Sequence, residues 1–211
     1  LSTTYDSMMS IHAYGHWQAE QDHTKAYQDL RRFLQAIQHQ RAGRGMARLP
    51  WVLKTPHHLL GGMSGLQAVF PEAQLVMTHR NVAEVLPSYC SMCASLSINA
   101  STTYAREDQG AHWTKRFKRG LDRLPALTSG AGDAIIDVRY EDTISDPVGT
   151  AMRILDALGL EADEADRAAF AACMEDNDRA ARPKHKYSAD QFGLTAEGIA
   201  ADFADYHRSY L

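Results

Sequence analysis

The 211-residue sequence predicts an α/β protein, a three-layer fold with a parallel sheet and helices on both faces. Two observations carry this expectation. Short apolar stretches of strand length, "WVLK" at 51–54, "AQLVMTH" at 73–79 and "DAIIDVRY" at 133–140, alternate with longer segments of helical period. The composition, 45% hydrophobic and 23% charged, is that of a chain able to bury a substantial core.

Taken in order, residues 1–20 have no clear period and read as loop or irregular helix. From Thr24 the pattern changes: Ala26, Tyr27, Leu30, Phe33, Leu34 and Ile37 recur at three and four residues, so 24–41 is an amphipathic helix. "RAGRGMARLP" is a turn-rich connector, and the strand 51–54 stops at Thr55-Pro56. A helix over 57–69 leads to the second strand. Asn81 or Val82 then opens a helix that runs to about residue 98 and carries Pro87 in its body. A third helical stretch, 105–124, is charged on one side. After the third strand, Asp146-Pro147 has the form of an N-cap with proline at the first helical position, opening 147–159. Further helices fall near 163–175 and 195–209. No repeat, low-complexity tract or linker divides the chain, so a single domain over 1–211 is expected.

The net charge of −4 argues against general attraction to nucleic acid or anionic lipid, so any bound anion must be held by a local cluster. The three cysteines suit a reducing compartment. Cys90 and Cys93 form a C-x-x-C on a helix without a second pair, and are read as packing residues. No 18-residue apolar run and no signal peptide is visible, which predicts a cytoplasmic protein without a membrane span. His12 and His16 have metal-ligand spacing on a helix. No H-E-x-x-H glutamate accompanies them, so no metal is expected, and this His- and Tyr-rich segment is a candidate lining for an acceptor pocket. The first residue is Leu1, in the middle of polar text, and a longer parent protein is expected.

In parallel sheets ligands sit at the carboxyl ends of the strands, which points to Lys54, to His79-Arg80 and to Arg139-Tyr140. An arginine at a strand end, before a helix N-terminus, adds a fork of donors to free N–H groups and a positive dipole, a place suited to phosphate. Ser88, two turns on, reaches the same anion if Pro87 bends the helix back. The competing reading pairs Arg80 with Glu84 and leaves Ser88 facing a neighbouring helix.

Four blocks in order, spanning about 51–195, resemble the sulfotransferases that use 3′-phosphoadenosine 5′-phosphosulfate (PAPS), in their bacterial form. "RNVAEVLPSY" at 80–89 is similar to the family's 3′-phosphate-binding segment, and "WVLKTPHHL" to its Lys-Thr-Pro or Lys-Thr-His element. "VRYEDTISDPVGTAMRILDALGL" is similar to its Tyr-Glu-Asp strand and helix, and "KHKYSADQFGLT" to its tail segment. The resemblance implies the P-loop NTPase-like sulfotransferase fold and in-line transfer of a sulfonate group from PAPS to a hydroxyl acceptor, small molecule or glycan, leaving PAP. It implies Arg80 and Ser88 on the 3′-phosphate, Tyr140 on the adenine, and Lys54 toward the sulfonate or the acceptor. Histidine chemistry suits a base near neutral pH, which makes His57 the candidate, with His58 or an upstream carboxylate as alternatives. From the basic run Arg182, Lys184, His185 and Lys186, the two lysines are candidates to close over the phosphosulfate; a plain solvated charge run is the alternative.

The family's Gly-x-x-(Arg/Lys)-Ser-Gly-Thr-(Thr/Ser) loop has no counterpart in these 211 residues. It is expected upstream of Leu1, the other reading being a member that has lost donor binding. Two other functions stand beside sulfonate transfer. One is a non-catalytic PAP-binding or interaction module of the same fold. The other is a P-loop nucleotide kinase, which would need a Walker lysine and a magnesium-holding carboxylate.

Overall fold

A computed structural model describes residues 2–98, 100, 105–129, 135–176 and 187–211. The chain divides into two compact units, both built from separated segments. The first comprises Leu1–Ala73, Cys93–Tyr104 and Lys115–Leu127, and the second Gln74–Met92, Ala105–Thr114 and Thr128–Leu211.

The first unit opens with two short helices, α1 (Thr4–Met9) and α2 (His12–Glu20), where the sequence suggested loop or irregular helix. The long α3 (Thr24–Gly43) follows the expected amphipathic span. Tyr27 and Leu34 bury its inner stripe, whereas Phe33, on the same period, is 63% exposed. Residues 46–54 have no regular secondary structure. The expected strand at 51–54 is therefore corrected: among the described residues it has no ladder partner, and Val52 stands 93% exposed. A strand is made by its neighbour's hydrogen bonds, which a local apolar run cannot encode. A π-turn over His58–Gly62 then feeds α4 (Met63–Val69), which packs on α3 and buries Leu66 and Val69.

In the second unit, β1 (Leu75–His79) pairs in parallel with β2 (Ile135–Arg139), from Leu75 opposite Ile135 to His79 opposite Arg139. Between them in sequence lie α5 (Val82–Ser97), α6 (Glu107–Leu121) and α7 (Leu124–Ser129). Both α5 and α6 run on into the first unit. Tyr89 of α5 meets the fully buried Trp113 of α6 edge to face, with ring centroids 4.7 Å apart. Cys90 and Cys93 are buried and form no disulfide, and burial pushes the Cys90 thiol up to about 12.

β2 ends one residue earlier than expected, and Tyr140 opens α8 (Tyr140–Ser145). The cap read at Asp146-Pro147 is present: Gly149 N–H donates to Asp146 Oδ1 at 2.8 Å as α9 (Pro147–Ala157) begins. Next comes α10 (Glu164–Asp176), then a short 3₁₀ turn, Ala189–Phe192, and two helices, α11 (Ala196–Asp202) and α12 (Ala204–Tyr210), where one was expected. Phe192, Leu194, Ile199 and Phe203 bury their side chains in this C-terminal part. No described helix is long and apolar enough to cross a membrane.

Candidate functional site

In the second unit, the register places His79 opposite Arg139, so Arg80 and Tyr140 are the next residues out along neighbouring strands. Two motifs sixty residues apart in sequence meet there: the Arg80 guanidinium lies over the Tyr140 ring, 4.0 Å from its centroid. Arg80 also donates from Nε and Nη2 to Glu84 Oε2, at 3.0 and 2.7 Å. The pairing weighed against a phosphate role is therefore present. The side chains are 37% and 56% exposed, and an exposed pair one helical turn apart contributes only about 0.3–0.5 kcal/mol. Ser88 follows Glu84 by one more turn of α5, half-buried, on the helix that contains Pro87.

The start of α5 is already capped. Asn81 Oδ1 accepts from Ala83 N–H at 2.9 Å, the Asn81 carbonyl accepts from Glu84 and Val85 N–H, and Val82 N–H donates to His207 Nε2 at 3.2 Å. The free N–H groups expected beside Arg80 are thus engaged, and the guanidinium is the donor left to meet an anion.

Behind Arg80 sits a cluster that the sequence reading missed. His79 is 1% exposed; its Nε2–H donates to Asp137 Oδ1 at 2.7 Å, and Tyr206 O–H donates to its Nδ1 at 3.0 Å. Its ring stacks on Tyr210, with centroids 4.5 Å apart and planes 3° from parallel. Burial pushes the Tyr206 hydroxyl up to about 12, against a backbone hydrogen bond from Arg80. The signal that could have found this cluster is "DYHRSY" at 205–210, an aromatic run unusual for an exposed terminal helix.

The first unit holds Lys54, His57 and His58. Lys54 is exposed on the irregular segment before α4. His57 and His58 line one cavity of about 190 Å³ together with Thr55 and Tyr27. His57 N–H donates to Thr55 Oγ1 at 3.2 Å, which fixes the turn after Pro56. Tyr27 Oη and His58 Nδ1 are hydrogen-bonded at 2.6 Å. Burial holds both imidazoles below the ordinary histidine range, and the His57 charge adds to this at His58; burial also raises the Tyr27 hydroxyl to about 12. A neutral imidazole beside a cavity can accept a proton from a hydroxyl placed there. A larger cavity of about 380 Å³, against the C-terminal half of α3, contains none of the residues selected from the sequence.

Arg182, Lys184, His185 and Lys186 lie outside the described residues. Among the described residues no cluster of His, Cys, Asp and Glu could hold a metal ion.

The sulfotransferase family model matches residues 2–164 of the chain. No curated protein matches its sequence. Among solved structures, sulfotransferase STF1 from Mycobacterium tuberculosis superimposes with a TM-score of 0.80 at 32% identity, covering 97% of this chain and 51% of that one. Sulfotransferase STF9 from Mycobacterium avium superimposes with a TM-score of 0.87 at 22% identity, covering 99% and 53%. The chain therefore spans about half the length of these solved relatives, and it has their α/β fold with a parallel sheet.

Proposed function

The chain belongs to the sulfotransferase family, and we propose that it serves sulfonate transfer from PAPS to a hydroxyl acceptor. When bound, PAPS supplies the sulfonate group that an acceptor hydroxyl attacks in line. Arg80 and Ser88 hold the 3′-phosphate, and Tyr140 contacts the adenine. The observation that supports this best is the meeting of Arg80 with Tyr140 beyond the ends of β1 and β2. Glu84 Oε2, itself an oxyanion, already sits against the guanidinium fork, so phosphate oxygens fit the same donors.

The protein's own residues divide the remaining work. His57, kept neutral by burial, takes the proton of the acceptor hydroxyl at one of its ring nitrogens. Lys54, and with it Lys184 or Lys186, offsets negative charge that grows on the leaving phosphate oxygen. The Tyr206 and His79 cluster fixes the backbone on which Arg80 stands.

Arg80→Ala tests the donor half of this reading by calorimetric titration with PAP. A charge-assisted hydrogen bond contributes about 1.5–3 kcal/mol, so affinity is expected to fall roughly ten- to hundredfold. The thermal midpoint should stay within a degree or two, because the pair lost is exposed. Unchanged PAP affinity would remove the donor assignment.

A further inference from the structure

The small cavity of the first unit contains a side chain that the fold leaves unsatisfied. Thr3 is 1% exposed, lines the cavity, and its Oγ1 has no hydrogen-bond partner. Threonine at the start of a helix normally turns its hydroxyl onto a free backbone N–H. Here the cap position has helical dihedrals, φ −71° and ψ −13°, and its hydroxyl makes no cap bond. Ser2 Oγ accepts the Thr4 N–H in its place, at 3.1 Å. A buried hydroxyl without a partner is destabilising, and a hydrogen bond from a ligand relieves that.

The neighbouring groups supply more uncommitted donors and acceptors. His23 Nε2 lies 3.0 Å from the Gln18 carbonyl, which can only accept, so this nitrogen carries the proton and cannot also accept from the Gln18 amide 3.3 Å away. Gln18 Oε1 is taken by Arg116 Nη2 at 3.0 Å, which leaves the Gln18 NH₂ as a donor at the cavity wall. The bond between Tyr27 Oη and His58 Nδ1 uses one proton, so in either tautomer of a neutral His58 the pair keeps one further donor and one further acceptor. No Asp, Glu, Lys or Arg lines the cavity among the described residues. Ala26 and Leu30 add apolar side chains to its wall, against which the face of a ring can lie. A glycine shapes the wall: a Cβ on Gly62 would collide with the Tyr27 hydroxyl.

We propose that this cavity binds a neutral, ring-sized polyhydroxyl group, a single sugar ring, through Thr3, Gln18, Tyr27 and His58, and that this ring is the acceptor. The acceptor role rests on the sulfonate-transfer reading above; the binding does not. At about 190 Å³ the site is smaller than the roughly 300 Å³ at which pockets for drug-sized ligands begin, which is room for one ring. A phenol would fill the space but leave Thr3 and Gln18 unpaired, and a site built to hydrogen-bond discriminates against such a ligand.

The test follows amide and imidazole signals of the isotope-labelled protein during titration with methyl glucoside or with phenol. Methyl glucoside is expected to give saturable shifts at Thr3, Gln18, His57 and His58, and phenol none of comparable affinity. Thr3→Val should weaken the sugar about fivefold while leaving the thermal midpoint unchanged or higher, since it removes a buried unsatisfied hydroxyl. Thr3→Ser should restore sugar binding. No saturable shift with sugar, phenol binding as tightly, or parental affinity in Thr3→Val would each overturn the site. A transfer assay with labelled PAPS separates the two readings. Sugar that binds without being sulfonated upholds the site and removes its acceptor role. Sulfonation of phenol with no sugar bound removes the site and keeps the activity.

Discussion

His57 and His58 illustrate how much of the site's behaviour is set at single residues. Burial favours the neutral imidazole, so both folded-state pKa values lie below the ordinary 6.5, the neighbouring His57 charge adding to the shift at His58. Below pH 6.5 the unfolded chain takes up protons that the folded imidazoles refuse, so this contribution to stability is lost as pH falls through that range. Activity should follow the same direction. With His57 as base, kcat/KM for sulfonate transfer is expected to stay level from about pH 8 to the ordinary histidine value and to fall only below it. His57→Gln should abolish that acid limb and lower the rate about a hundredfold or more. An acid limb centred above 7 would assign the proton to another group. At this scale the sequence is legible where one residue suffices. Arg80 and Tyr140 were selected from separate motifs and meet, whereas Thr3 was invisible because nothing local says that its hydroxyl will lack a partner.

Elements were legible in proportion to how local their signals are. The Asp146-Pro147 cap and the 24–41 periodicity need only neighbours in sequence, and both appear close to where they were expected. The strand at 51–54 failed because pairing is a property of two segments. α5 starts at Val82, as expected, but its first N–H groups are not free: Val82 N–H is capped by His207, which lies 125 residues away. His207→Ala removes that acceptor from a residue that is 3% exposed. We expect a stability loss of about 1 kcal/mol, read as a fall of about 2–4 °C in thermal midpoint for a chain of this size. PAP affinity should weaken with it, because Arg80 stands two residues before the amide that is freed. An unchanged midpoint would mean that water replaces the imidazole at no cost.

For the whole molecule, the parallel β1–β2 pair and its flanking helices were legible as a class, since alternating apolar and amphipathic segments encode layers without encoding neighbours. The division into two units was not, because both units are assembled from separated segments. Two helices contribute to each of them: Val82–Met92 and Glu107–Thr114 belong to the second unit, while the rest of α5 and α6 belong to the first. A helix is a cooperative element, so melting one end withdraws support from the other. Thermal unfolding is therefore expected as one transition, coincident by far-ultraviolet circular dichroism and by tryptophan fluorescence. Trp113, fully buried in the second unit, dominates the fluorescence change over the exposed Trp17 and Trp51 of the first. PAP at about 100 times its Kd adds about 2.7 kcal/mol, which should move the whole transition up by about 5–10 °C. Two separate steps, with only the fluorescence step displaced by PAP, would mean that the shared helices do not couple the units and that the nucleotide stabilises the second alone.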